Sequence, residues 1–210
     1  MNPRLQAVLV FGGVAALVAF FVRLPDGRTV AEAAADGIDT VQSTVTGTVG
    51  GALSGYGADG AMSKDAVLAL AQEIADNYFL PNVDPNMAVA IAEIESSFRP
   101  TAYRLEVHVG DASTGLMQTL QKTAQWLWDI GYKAMPRPDA VTLLEPKVSM
   151  YFGMAYIDWL QGYKGEAHSE EWIIRAYNGG PGGATKAGTR AYWKKYGRVR
   201  FGIADIPAEW

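Results

Sequence analysis

Apolar residues recur at helical spacing through most of the chain after residue 63. Val67, Leu70, Ile74 and Tyr78 follow Ser63, a residue suited to cap a helix N-terminus. Asp84-Pro85 opens a second helix, as an N-cap followed by a proline in the first turn, where no N–H is needed. Further helical runs are predicted over 121–130, 146–162, 169–177 and 184–196, with Gly- and Pro-rich loops at 131–138 and 179–183. No stretch alternates with period two for long enough to predict a strand, and there is no internal repeat. Residues 63–204 therefore predict one all-α domain of about 140 residues, large enough for its own core. Residues 205–210 form a short tail.

The pattern before residue 63 is different. From Leu5 to Val22 no residue is charged, and Arg4 and Arg23 bound the run. As a helix at ~1.5 Å per residue this run spans roughly 27 Å, close to a bilayer's hydrocarbon core. Residues 1–23 thus predict a single transmembrane anchor with a lipid bilayer as partner. A cleaved signal peptide is the rival reading, but Arg23, Asp26 and Arg28 separate the apolar run from the small-residue sites at Ala31 to Ala35. Residues 24–62 are rich in Ala, Gly, Thr and Ser and read as a flexible linker. Gly47, Gly51 and Gly55, four apart in an uncharged stretch, keep open a second, weakly apolar membrane or oligomerisation helix.

Composition narrows the chemistry. The 210 residues are 49% hydrophobic and 11% aromatic, which excludes a disordered chain. The absence of cysteine excludes a disulfide scaffold, a thiol nucleophile and cysteine-ligated metal. A net charge of −4 gives no reason to expect nucleic acid as a partner.

Within the helix from Pro85 to Phe98, Met87, Ile91, Ile94 and Phe98 share one face at about 100° per residue. Glu95 falls on the border of that face and Glu93 on the far side, so the two are not a catalytic pair. Glu93 is expected in solvent. Glu95 is expected where apolar neighbours raise its pKa, as a general acid near neutral pH requires. An ordinary boundary residue has the same periodicity.

The surrounding blocks decide between these readings. "AIAEIESSFRPTA" (90–102) is followed by "GDASTGLMQTLQKTA" (110–124) and "AYNGGPG" (176–182), with a long helical run "EPKVSMYFGMAYIDWL" (145–160) between the last two. In this order and separation, over about residues 64 to 200, they resemble the lytic transglycosylases with a goose-lysozyme-like catalytic domain. The resemblance implies a lysozyme-like fold, Glu95 as catalytic acid/base and Ser96 following it. It implies that Gly115, Leu116, Met117 and Gln118 line the sugar cleft, that Tyr177 hydrogen-bonds near the glutamate, and that Asn178 sits at the cleft beside the Gly179–Pro181 turn. Ser149 stands where many members carry asparagine, and Gln121 where many carry proline.

The resemblance further implies cleavage of the β-1,4 bond between N-acetylmuramic acid and N-acetylglucosamine in peptidoglycan, leaving 1,6-anhydro ends and needing no metal or organic cofactor. Hydrolysis of the same bond is the alternative, with Glu106 or Asp111 as the second carboxylate. A membrane-anchored, non-catalytic wall-binding component is the other. The setting is a membrane-anchored domain facing the periplasm or cell wall, in envelope remodelling, in an oligomeric envelope complex or in a phage virion. His108 and His168 read as surface or loop residues, and Trp126, Trp128, Trp159 and Trp172 as core more than sugar platforms. The seven basic residues between Trp172 and Ala204, with no acidic one, face anionic polymer or lipid, or form a solvated helix face.

Overall fold

The computed structural model describes residues 60–203. The predicted membrane helix over 5–22, nearly all of the 24–62 segment and the tail lie outside them. Among the described residues no helix is long and apolar enough to cross a membrane.

Helix α1 spans Lys64–Ile74, and the Ser63 hydroxyl accepts from the Ala66 N–H at 3.2 Å. A π-helical turn, Ala75–Phe79, shifts the apolar stripe by one residue, so that Phe79 is buried and the predicted Tyr78 is exposed. Helix α2 is Pro85–Ser96, with the Asp84 carboxylate accepting from the Asn86 N–H at 2.8 Å. Helix α3 is Gln121–Asp129, α4 is Pro146–Gln161 and α5 is Glu170–Gly179. The centre of the domain is α4. Ten of its residues, from Val148 to Leu160, are buried, and it touches α1, α2, α3 and α5. A helix apolar on nearly every side is satisfied only in such a position. Helix α2 is similarly enclosed, with an unbroken buried run from Met87 to Ala92. The stripe read from sequence therefore understates its contact with the core.

Two expectations fail. The domain is not all-α: β1 (Tyr103–Glu106), β2 (Asp111–Thr114) and β3 (Thr119–Leu120) form an antiparallel sheet in that order, with Tyr103 opposite Thr114 and Ser113 opposite Leu120. Period two was present in "YRLEVHV" (103–109), but with its polarity inverted. Tyr103, Leu105 and Val107 are exposed, so the alternation does not bury an apolar face. The last helix, α6, is Arg190–Phe201 rather than 184–196. Before it the chain makes two 3₁₀ turns, Pro181–Gly183 and Ala187–Thr189.

Buried Arg175 on α5 holds that non-helical segment in place. Its guanidinium donates to Thr189 Oγ1 at 3.1 Å and the Lys186 carbonyl at 2.9 Å, and it pairs with Glu171 at 2.7 Å. Arg175→Met removes these three bonds and leaves Glu171 without its cation, and it is expected to cost about 3 kcal/mol, read as a drop in Tm of roughly 6–12 °C. A Tm within ~2 °C of wild type contradicts the assignment.

Candidate active site

Helix α2 ends one residue after Glu95. Ser97 and then Phe98 take left-handed backbone conformations, at φ 52° and 62°. Two successive non-glycine residues in that region are sparsely populated geometry, which the surrounding packing must enforce. Glu95 thus leaves the helix at a sharp stop, facing a cleft of about 580 Å³. Its Oε1 accepts from the Tyr192 hydroxyl of α6 at 2.7 Å. Burial raises its pKa above the usual carboxylate value. The Tyr192 hydrogen bond and the charges of Arg104 and Lys195 oppose that rise, while Glu106 adds to it. Tyr192 itself is held neutral far past the ordinary tyrosine range by burial and by the Glu95 charge.

The helices that carry this pair are tied together on both sides. Lys195 Nζ donates to the Ile94 carbonyl at 3.1 Å, and Arg200 pairs with Asp84 at the start of α2. Glu93, expected in solvent, is half-buried and pairs with Lys64 at 3.0 Å.

The predicted residues divide into two groups. Glu95, Gln118, Tyr177 and Asn178 line the cleft. Ser96, Gly115, Leu116 and Met117 are not among its lining residues. The Ser96 hydroxyl donates back to the Ala92 carbonyl at 3.0 Å inside its own helix. Leu116 and Met117 are fully buried, and Met117 N–H donates to Ser149 Oγ at 3.1 Å. That bond gives the departure at Ser149 a physical role, since its small hydroxyl braces the second block from α4. Gln118 takes φ 47° and donates from Nε2 to the carbonyls of Ala102 and Gly115, both at 3.0 Å.

Tyr177 donates to the Met117 carbonyl at 2.8 Å rather than to Glu95. It sits 5.5 Å from the Tyr156 ring, whose hydroxyl burial pushes up to about 12. The hydroxyl on the glutamate therefore comes from Tyr192, which sequence reasoning missed. It lies 97 residues away on the misplaced last helix, and no local pattern marks it.

Further lining residues come from the hairpin, and one of them, Glu106, is a candidate second carboxylate of the sequence reading. Arg104, Glu106, His108 and Ser113 line the cleft, being polar positions of β1 and its neighbours. Glu106 Oε1 accepts from Arg104 Nε at 2.6 Å and Ser113 Oγ at 3.0 Å, and these bonds hold its carboxyl below the usual range. Asp111, the other candidate second carboxylate, is not among the lining residues. It accepts from the Lys122 N–H at 3.1 Å at the start of α3.

The tryptophans are less buried than expected. Trp126 is 37% exposed and meets Trp159 edge-on at 4.8 Å, while Trp159 stacks on Tyr156 at 5.9 Å. Trp128, Trp159 and Trp172 pack against the core while only partly buried. His168 stacks on Trp172 at 3.8 Å, and His108 is exposed at the cleft edge. None of the seven basic residues of the C-terminal run lines the cleft. Arg190, Lys194 and Arg198 are exposed on α6. Among the described residues no three His, Asp or Glu side chains group as metal ligands.

This chain belongs to the transglycosylase SLT domain family, whose model matches residues 71–199, more than half of its length. Its fold is similar to part of the 70 kDa soluble lytic transglycosylase from Escherichia coli, with a TM-score of 0.51 at 20% identity. The match covers 68% of this chain and 26% of the Escherichia coli chain, so this protein spans about a quarter of that one. A comparison with curated protein sequences gives no match.

Proposed function

We propose that this chain is a peptidoglycan lytic transglycosylase, with Glu95 as its catalytic acid and base. The observation that carries the reading is Glu95 itself: a carboxyl with its pKa raised by burial, lining a cleft, oriented by one neutral hydroxyl. Glu95 protonates the oxygen of the β-1,4 bond between N-acetylmuramic acid and N-acetylglucosamine, and the muramic N-acetyl group assists departure. Glu95, now a carboxylate, takes the proton of the C6 hydroxyl as that oxygen closes on C1. The new end is 1,6-anhydromuramic. Tyr177, Asn178 and Gln118 shape the sugar site, and Gly115, Leu116, Met117 and Ser96 support it from behind. Residues 5–22 anchor the chain in the bilayer, and 24–62 tether the domain within reach of the wall, for envelope remodelling or phage genome delivery. The test is solubilisation of dye-labelled sacculi by the full chain in detergent micelles. Release of soluble glycan is expected, whereas binding without release favours the non-catalytic reading.

Tyr192 is a positioning residue in this scheme. Its bond stabilises the ionised form of Glu95, so Tyr192→Phe raises the Glu95 pKa further. Cleavage needs the protonated acid, and activity falls as pH rises through that pKa. The alkaline limb of the pH–rate profile is therefore expected to move to higher pH, with the maximal rate lowered about tenfold by lost orientation. An unchanged limb, or one moved to lower pH, contradicts the role.

A further inference from the structure

Among the described residues, Glu106 is the only carboxylate besides Glu95 that lines the cleft. It is carried by the hairpin strand β1 rather than by α2. Its side chain is 15% exposed, and both Arg104 and Ser113 bind the same oxygen, Oε1. Oε2 has only His108 Nδ1 near it, at 3.9 Å, beyond hydrogen-bond length. Glu106 thus presents one anchored oxygen and one with unused lone pairs, on a strand that fixes where the carboxylate stands. Its charge acts on Glu95, raising that carboxyl's pKa, so the two groups share one electrostatic environment. Asp111, by contrast, spends both carboxylate oxygens on backbone, accepting from the Ala112 N–H on β2 and the Lys122 N–H at the start of α3. A second carboxylate in the same cleft as the acid is what inverting glycosidases use to direct water at the glycosyl carbon.

We propose that Glu106 directs a water molecule to the muramic C1, so that the chain releases a fraction of its product as hydrolysed, reducing ends beside the anhydro ends. The inference rests on the reading of Glu95 as the acid. Glu95 gives its proton to the departing N-acetylglucosamine oxygen as the C1–O bond breaks. Water oxygen then bonds to C1, and the proton it sheds goes to Glu106 Oε2. Solvent exchange returns that proton to Glu95, so one water is consumed for each bond cut. The same glycosyl intermediate partitions between the C6 hydroxyl and this water.

The experiment digests purified sacculi in ¹⁸O-water with the full chain in micelles and counts labelled reducing ends against anhydro ends by mass spectrometry. The variants are Glu106→Gln, Glu106→Ala and, as a control on the cross-strand neighbour that does not line the cleft, Asp111→Asn. Circular dichroism checks that each is folded. Wild type and Asp111→Asn are expected to give both kinds of end. Both Glu106 variants are expected to lower the ratio of labelled reducing ends to anhydro ends about tenfold or more. Anhydro ends alone from wild type, or a labelled fraction unchanged in the Glu106 variants, overturn the proposal and leave the transglycosylase reading standing. No cleavage of either kind overturns both.

Discussion

Glu95→Gln is expected to reduce lysis of peptidoglycan by about a thousandfold or more, because it removes the one group placed to give and then retake a proton. The amide keeps the size and planarity of the carboxyl and still accepts from Tyr192, so the packing at the end of α2 is preserved. The loss should therefore fall on turnover and not on binding of glycan strands. A second effect goes the other way. Glu95 has a raised pKa in the folded chain because burial penalises its charge. Its contribution to stability is complete below the unfolded carboxylate pKa and is lost as pH rises through the folded value. Glutamine has no charge to bury. Glu95→Gln should thus melt at a higher temperature than wild type near about pH 8, with the gap closing near about pH 4. Thermal melts at the two pH values check this, and a variant less stable at the higher pH contradicts the buried-acid assignment.

Gly115→Ala is expected to be the most damaging small substitution in the described domain. Gly115 has φ +79°, and a Cβ there would stand 2.5 Å from Ser149 Oγ and closer still to the Leu143 carbonyl oxygen. The left-handed conformation alone costs an alanine about 1–2 kcal/mol. The clash adds more, because Leu143 contributes backbone, which cannot rotate aside. A total of about 3–5 kcal/mol is expected, seen as a Tm lower by roughly 10 °C or more. Gly115 also donates its N–H to the Ala102 carbonyl at 2.8 Å, at the join between the hairpin and the second block. Surviving protein should therefore show weakened cleavage as well, since Met117 and Tyr177 depend on that turn. A variant within ~1 kcal/mol of wild type by denaturant melts contradicts this account.

These two residues also mark what was legible before the structure. Helices α1 and α2 were readable because their signals are local: Ser63 and Asp84 cap the turns that follow them, and Pro85 stands where a helix accepts proline. The central helix α4 was readable from an apolar run with few polar interruptions. Glu95 needed more than periodicity, and the three blocks supplied it. Tyr192 could not be read, because its partner lies on another helix and the segment before α6 is held by Arg175 rather than by a helical pattern. The hairpin was hidden for a different reason. On β1 and the turn after it, Tyr103, Leu105 and Val107 are exposed while Arg104, Glu106 and His108 line the cleft, the reverse of the usual burial rule. That inversion is itself a functional signal, since polar side chains turned toward a protein's own surface groove are available to a ligand.

The central claim is that Glu95 cuts the glycan strand and that the muramic C6 hydroxyl closes the product. Mass spectrometry of the soluble glycan released from sacculi by the full chain addresses it most directly. New ends that are predominantly 1,6-anhydromuramic, absent from the Glu95→Gln digest, are the predicted result. New ends that are all reducing, or release that continues undiminished in Glu95→Gln, would contradict it.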